Sequence, residues 1–181
     1  MELVCEQCCK SFTANGSRGR TPRFCGARCR KRASRARQVL PASMTSMRRW
    51  VRADGKRPIR VDGSPASSTD PSTWASYSDV LRSTAGDGYG IMLGGGLGCY
   101  DIDHCLVDGV IEPWAREALD SIPESVVFTE VSKSGTGVHV FVRADESPGT
   151  RRGNVERYTR ARFIRVTGNV YEFTEYNSCG G

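Results

Sequence analysis

Four of the five cysteines in the first 29 residues constrain this chain more than any other feature. Cys5-Glu-Gln-Cys8 and Cys25-Gly-Ala-Arg-Cys29 form a CxxC and a CxxxC separated by sixteen residues. Four thiolates at such spacing suit tetrahedral zinc, and free or redox-active thiols are the alternative. Cys9 stands beside Cys8 and is a substitute ligand for it. Segment 12–24 is rich in Gly, Asn, Ser and Arg and reads as a hairpin or loop. Segment 26–39 has few breakers and reads as a helix opening at the second cysteine pair.

The charge is divided in the same place. Residues 1–37 carry ten Lys or Arg against two Glu, whereas the other 144 carry sixteen basic and eighteen acidic side chains. The excess positive charge therefore lies in a small appendage on a near-neutral body, the pattern of a polyanion-binding arm. Arg28, Arg30, Lys31, Arg32, Arg35 and Arg37 would cover most of the predicted helix. The functional reading is salt-sensitive contact with nucleic-acid phosphates, and a merely solvated basic face is the alternative. A knuckle followed by a helix with ligands in its first turn resembles a treble-clef or zinc-ribbon finger. The expected organisation is a finger over 1–37, a linker over 38–47, a main domain over 48–170 and a frayed tail over 171–181. No apolar run is long enough to span a bilayer, and Met-Glu-Leu-Val-Cys at the N-terminus lacks the regions of a signal peptide. A cytoplasmic protein with no membrane partner is expected.

In the main domain, residues 94–104 read Gly-Gly-Gly-Leu-Gly-Cys-Tyr-Asp-Ile-Asp-His, a glycine turn running into a short strand with two acids. Strand side chains alternate, so Asp101 and Asp103 share one face while Tyr100, Ile102 and His104 share the other. Two stacked carboxylates repel unless a cation lies between them, and hard ions such as magnesium prefer that donor set. A solvated strand end is the alternative. The glycines lack a P-loop's Lys-Ser/Thr ending and following helix, so they read as a tight turn.

Around this strand, Arg49-Trp50-Val51-Arg52, the Asp54-Gly55 turn and Lys56-Arg57-Pro58-Ile59 read as an edge hairpin. Asp70-Pro71 reads as a helix start, with Trp74, Tyr77 and Leu81 at helical spacing and Gly86 as the stop. The aromatics Trp74 and Tyr77 are expected as core anchors, with base-stacking groups as the alternative. Segment 89–93 is a short strand, Pro113 opens a helix through Trp114, Ala118 and Leu119, and segment 125–131 is apolar and β-branched, hence a buried strand. In 132–142, Ser-Lys-Ser-Gly-Thr-Gly-Val-His-Val-Phe-Val, His139 faces away from Val138, Val140 and Val142 and follows a Ser/Gly turn whose amides could approach phosphates. Further on, Asn154-Val-Glu156-Arg-Tyr158 and Arg162-Phe-Ile-Arg-Val-Thr-Gly168 read as paired short strands. Glu156 is a lone acid among basic residues, and a local salt bridge to Arg157 or Arg160 is its bland reading. A strand-helix-strand crossover returns parallel, which can bring the acids, His139 and Glu156 to one sheet face.

These motifs, in this order, resemble the prim-pol group of the archaeo-eukaryotic primase superfamily, found in phages and plasmids. Asp101-Ile-Asp103 matches its acid-x-acid motif, Ser134-Gly-Thr-Gly-Val-His139 its Ser/Gly-x-His motif, and Val155-Glu156-Arg-Tyr158 before 162–168 its third acidic motif. Lys56-Arg-Pro58 and Thr69-Asp-Pro-Ser-Thr-Trp74 look like its N-terminal segments. The resemblance covers about residues 48–170 and excludes the finger. Gly137 stands where a serine is common, and Glu-Arg-Tyr-Thr replaces an acid-apolar-Tyr-Asp pattern.

The resemblance implies an α+β, RRM-like primase/polymerase core behind the finger. It implies a nucleotidyltransferase that forms phosphodiester bonds from nucleoside triphosphates on a DNA template, with the finger gripping single-stranded template. Asp101, Asp103 and Glu156 would hold Mg²⁺ or Mn²⁺, with His139 completing the catalytic set, while Cys5, Cys8, Cys25 and Cys29 hold zinc. Ser134, Gly135, Thr136, Gly137 and His139 would hold the nucleotide. Arg162 and Arg165 fall on opposite faces of their strand, so at most one is expected to reach it. A separate replicative helicase is the expected further partner. The rival readings are a metal-dependent nuclease using the same residues and a non-catalytic DNA-binding replication accessory.

Overall fold

The computed structural model describes residues 2–5, 8, 10–13, 21–36 and 40–172, with 32–36 as backbone only. Cys9, Arg37, residues 14–20, the tail 173–181 and the side chains of Arg32 and Arg35 lie outside the described residues. The chain divides into two compact units, the second being Leu40–Glu172.

In the first unit, β1 (Glu2–Val4) pairs antiparallel with β2 (Ser11–Thr13), and α1 (Ala27–Ala36) follows. This is a knuckle and a helix, with Cys25 just before the helix and Cys29 in its first turn, as the absence of breakers after Gly26 predicts.

The second unit opens with α2 (Ala42–Thr45). Leu40 and Met44, in the stretch expected as linker, are buried in its core. The hairpin β3 (Trp50–Asp54) and β4 (Arg57–Ile59) turns at Gly55, whose φ of 59° suits glycine. The helix expected from Asp70 onward is displaced. Asp70 caps only a 3-10 turn at Pro71–Thr73, the chain then extends so that Ala75 bridges Trp50, and α3 (Tyr77–Arg82) starts afresh at a Ser76–Asp79 capping box. Trp74 is buried and Tyr77 packs against the core as expected, while Leu81, which shares their spacing in the sequence, is 54% exposed.

Then come β5 (Gly88–Met92), β6 (Leu97–Ile102), a small hairpin of β7 (Leu106–Val107) and β8 (Val110–Ile111), α4 (Pro113–Asp120), β9 (Val126–Val131), β10 (Val138–Arg143), β11 (Thr150–Arg152), β12 (Val155–Tyr158) and β13 (Phe163–Val166). They build a five-stranded sheet in the order β11-β12-β6-β10-β9 and a four-stranded sheet in the order β13-β5-β3-β4. β6 and β9 are both antiparallel to β10, so they run parallel to each other. The crossover through α4 does return parallel, but β10 has been inserted between its two strands, a split β-α-β arrangement. The expected pairing of 154–158 with 162–168 is not made. β12 pairs with β11 and β6, whereas β13 joins β5 in the other sheet. The reason is local: Gly153 at φ 58° closes a tight β11–β12 turn, and Ala161 at φ 52° redirects the chain from one sheet to the other.

The main core mixes both sheets. Trp50, Ile91, Ile164 and Val166 come from the four-stranded sheet, and Leu97, Cys99, Phe128 and Phe141 from the five-stranded one. Each such large side chain stabilises by about 2 kcal/mol on burial. Trp50 is fully buried, its indole N–H donates to the Met44 carbonyl at 3.1 Å, and its ring packs on Tyr77 and Tyr89. On the opposite face of the five-stranded sheet, Tyr100 and Arg157 both reach Glu124, in the loop between α4 and β9, at 2.8 and 2.7 Å. That places the crossover on that face.

Candidate active site and cysteine cluster

Gly94, Gly95 and Gly96 all have positive φ, at 126°, 63° and 87°. A Cβ on Gly94 would lie 2.9 Å from both the Arg49 guanidinium and the Glu146 carboxylate, so this turn into β6 requires glycine. It sets the start of the strand whose far end carries the acids.

The register of β6 assembles the site. Asp101 stands directly opposite His139 of β10 on one side and Glu156 of β12 on the other. One strand further out, Glu130 of β9 opposes His139 and Arg151 of β11 opposes Glu156. Directly opposed residues share a face. A single row of ionisable side chains, Arg151, Glu156, Asp101, His139 and Glu130, therefore crosses all five strands. Two residues back along the same face, Cys99 and Phe141 lie in the core, so the row sits where the sheet emerges from the core.

The row is joined by short contacts. His139 Nδ1 lies 3.0 Å from Glu130 Oε1, and His139 Nε2 lies 3.6 Å from Asp101 Oδ1. Glu156 accepts from the Tyr158 hydroxyl at 2.8 Å and pairs with Arg151 at 3.2 Å and Arg162 at 3.7 Å. These ion pairs, not ones to Arg157 or Arg160, are what the structure shows for Glu156. Arg157 points to the other face, towards Glu124. Burial raises the Asp101 pKa, with Asp103 and Glu156 adding to the shift and His139 and Arg162 opposing it. For His139, burial pulls the pKa down, but the Glu130 hydrogen bond and the surrounding acids outweigh it, and the net shift is upward.

Asp103 follows the last residue of β6, and its amide donates to the Asn154 carbonyl at 2.9 Å. His104, expected on the opposite face, turns in a left-handed conformation at φ 52° and lines the same cleft. That cleft, of about 1180 Å³, is bounded by Asp101, Asp103, His139 and Glu156 together with Lys56, Lys133, Arg151, Arg162 and Arg165. Carboxylates at the floor and cations along the walls suit a ligand that carries both phosphates and metal ions.

Several nucleotide-binding expectations change in detail. The amides of Gly135, Thr136 and Gly137 are used within the turn, donating to Ser132 O, Ser134 Oγ and Ser132 Oγ at 3.0, 3.3 and 3.2 Å. The groups this segment offers the cleft belong to Ser132, Lys133, Ser134 and Thr136. Gly135 and Gly137 shape it: Gly135 has φ 80°, and a Cβ on Gly137 would meet Ser132 Oγ at 2.9 Å. Arg162 and Arg165 both line the cleft, since Arg162 precedes β13 and is not bound by its alternation.

Glu130, Lys133 and Arg151 were missed from the sequence. Glu130 left the clearest signal, an acid inside an otherwise apolar, β-branched strand. It is fully buried and also accepts from the Thr167 amide, the Thr167 hydroxyl and the Gly168 amide at 2.9, 3.1 and 2.8 Å.

In the first unit, the sulfurs of Cys5, Cys8, Cys25 and Cys29 lie within 4.8 Å of one another. Cys8–Cys25 and Cys25–Cys29 are 3.8 and 3.6 Å apart, close to the edge of about 3.8 Å for a tetrahedron with Zn–S bonds of about 2.3 Å. Hydrogen bonding of its S–H to Cys29, Cys5 and Cys8 pushes the Cys25 thiol up to about 12. Among the described residues, this is the group of three or more ligand atoms gathered so closely. Asp101, Asp103 and Glu156 stand further apart, with Asp101 turned to His139 and Glu156 to its arginines.

Residues 29–172 match the family model for Prim-Pol, described as bifunctional DNA primase/polymerase, N-terminal. The chain belongs to the Prim-Pol family. A DNA primase-polymerase of Nitratiruptor phage NrS-1 is 27% identical over 154 residues, in a match that covers 74% of this chain and 21% of that protein. This prim-pol chain thus spans about a fifth of the length of that relative. The α+β core of two sheets and few helices is consistent with that membership. Neither match points to a separate helicase. Among the described residues no helix is long and apolar enough to cross a membrane.

Proposed function

We propose that this chain is a nucleotidyltransferase that extends or initiates strands on a DNA template through a divalent-metal mechanism, on an RRM-like core. The observation that carries the reading is Asp101 in register between His139 and Glu156, with Asp103 two residues on, at the floor of a cleft walled by Lys and Arg. The strand order β12-β6-β10-β9 about the split crossover supports the RRM-like description.

The donor set fits Mg²⁺ or Mn²⁺. Three carboxylates face one cleft, and opposed Cβ atoms in a sheet are about 5 Å apart, so Asp101 and Glu156 can reach a shared ion. An ion held there by Asp101, Asp103 and Glu156 would supply Lewis-acid stabilisation of the charge that develops in phosphoryl transfer. His139, its Nδ1 fixed by Glu130, presents Nε2 to a phosphate oxygen. Lys133, Ser134, Thr136 and Arg162 bind the triphosphate from the cleft walls. In the first unit, the four cysteines hold zinc, and the exposed Arg28, Arg30 and Lys31 contact template phosphates.

The test is primer extension with Mg²⁺ or Mn²⁺. Asp101→Ala should abolish extension while leaving DNA affinity within about twofold, because the excess positive charge lies in residues 1–37. Extension at the parental rate by this variant would sink the mechanism. Labelled DNA that is cut in the same buffer without nucleotides would favour the nuclease, and DNA binding with neither activity would favour the accessory.

A further inference from the structure

Asp87, just before β5, joins three segments of the cleft wall and belongs to none of the motifs described above. Its Oδ1 accepts from the Gly55 amide at 2.9 Å and from Arg165 Nη1 at 2.7 Å, and its Oδ2 pairs with Lys133 Nζ at 2.5 Å. Its backbone carbonyl accepts from Arg165 Nη2 at 2.9 Å, and Arg165 Nη1 also reaches the Gly55 carbonyl at 2.5 Å. Gly55, Lys133 and Arg165 all line the cleft, and they come from the β3–β4 turn, the turn before β10, and β13. Lys133 belongs to the five-stranded sheet's connection, whereas the other two belong to the four-stranded sheet. Asp87 therefore ties the two walls together.

The neighbouring residue shows that this seat is built. A Cβ on Gly88 would lie 2.3 Å from Arg165 Nη2, so a side chain there would evict the guanidinium. Arg165 is 14% exposed in this seat, with three hydrogen bonds to Asp87 and Gly55. The hydrogen bond from Arg165, followed by that from Lys133, holds the Asp87 carboxyl well below the usual range, so it is ionised at any working pH.

We propose that Asp87 is a positioning residue for the triphosphate of the incoming nucleotide: by dividing one carboxylate between Lys133 and Arg165 it sets the spacing and direction of two cations from different sheets. This rests on the nucleotidyl-transfer reading above. The role has a sign that separates it from simple electrostatics. Replacing Asp87 by Asn removes a negative charge beside the phosphate site, so charge alone predicts tighter nucleotide binding. Loss of positioning predicts weaker binding.

The experiment measures steady-state primer extension, equilibrium binding of a fluorescent deoxynucleoside triphosphate and DNA affinity for the parent, Asp87→Asn and Gly88→Ala. For Asp87→Asn, KM for the nucleotide and its binding constant should rise about fivefold, the size expected on losing one well-aligned charged contact. The value of kcat and the DNA affinity should each stay within about twofold, since the acids are untouched. Gly88→Ala changes no charge but displaces Arg165, and it should raise KM in the same direction. A KM that falls or stays unchanged in Asp87→Asn overturns the inference, as does a Gly88→Ala protein with parental KM. With an active parent, either result leaves the nucleotidyl-transfer reading standing. A parent that neither extends a primer nor binds nucleotide removes that reading, and this one with it.

Discussion

Truncating Glu130 to Ala tests whether the charged row across the sheet is a built unit. The side chain is fully buried and has four hydrogen-bonding neighbours: His139 Nδ1, the amides of Thr167 and Gly168, and the Thr167 hydroxyl. The hydroxyl has an alternative acceptor in the Val131 carbonyl at 2.7 Å, so three donors are left without a partner. Each orphaned buried donor costs about 1–3 kcal/mol, and removing one partner of a buried ion pair costs about 3–5 kcal/mol in total. Water entering the vacated space recovers part of that, so the expected loss is about 3–4 kcal/mol. Against a typical domain stability of about 5–15 kcal/mol this is severe.

The loss should depend on pH with a definite sign. The groups facing the His139 ring are Glu130 on one nitrogen and Asp101 on the other, with Asp103 also acting on it electrostatically. Together they raise the folded-state pKa of His139 despite burial. A raised histidine contributes stability that is fully present below its unfolded value of about 6.5 and lost as pH rises through the folded value. The gap between parent and Glu130→Ala should therefore be widest below about pH 6.5 and narrow as pH rises through the raised folded value. Urea denaturation at several pH values between 6 and 9 measures it. A loss below about 1 kcal/mol, or a gap that does not change with pH, would refute the argument.

On the far face of the same sheet, Glu124 accepts from Tyr100 and Arg157. Burial pushes its pKa up, but the hydrogen bonds from Arg157 and Tyr100 outweigh this and lower it. Glu124→Gln should cost about 1 kcal/mol at neutral pH, and the difference should vanish as pH falls through the lowered folded value; acid titrations of thermal midpoints check this, and a constant difference counts against it. For the cysteine cluster, a chelator should release about one zinc per chain, make four thiols reactive and flatten the salt dependence of DNA binding. An unchanged salt slope after metal release would leave the finger with a structural or docking role.

The site was legible in sequence to the extent that alternation alone controls it. Asp101 and Asp103, and His139 opposite its valines, follow from the two-residue period of a strand, which survives in any tertiary context. Their pairing partners do not follow from it. β12 and β13 look like a hairpin because they are close in sequence, yet packing sends them to different sheets. Glu130 was overlooked because an apolar run hides a single acid, and only the folded register shows that it meets His139. The turn before β10 was recognised, but its hydroxyls turned out to satisfy its own amides, leaving Lys133 as its charged contribution. Asp87 gives no signal in sequence, since its role depends on three segments that meet only in the fold. The false helix start at Asp70 has a similar origin: a sound cap was present, but Ala75 was needed as a partner for Trp50.

The position of β6 in its sheet has a consequence for how the chain is made. Both neighbours of this strand lie downstream: β10 begins at Val138 and β12 at Val155. During N-to-C synthesis β6 therefore waits with both hydrogen-bonding edges open, the condition under which strands pair with the wrong molecule. Asp101 near the end of that strand and Asp103 just beyond it place negative charge on the nascent segment and so discourage such pairing until its own partners arrive. The carboxylates would then protect the strand before they have any substrate to act on.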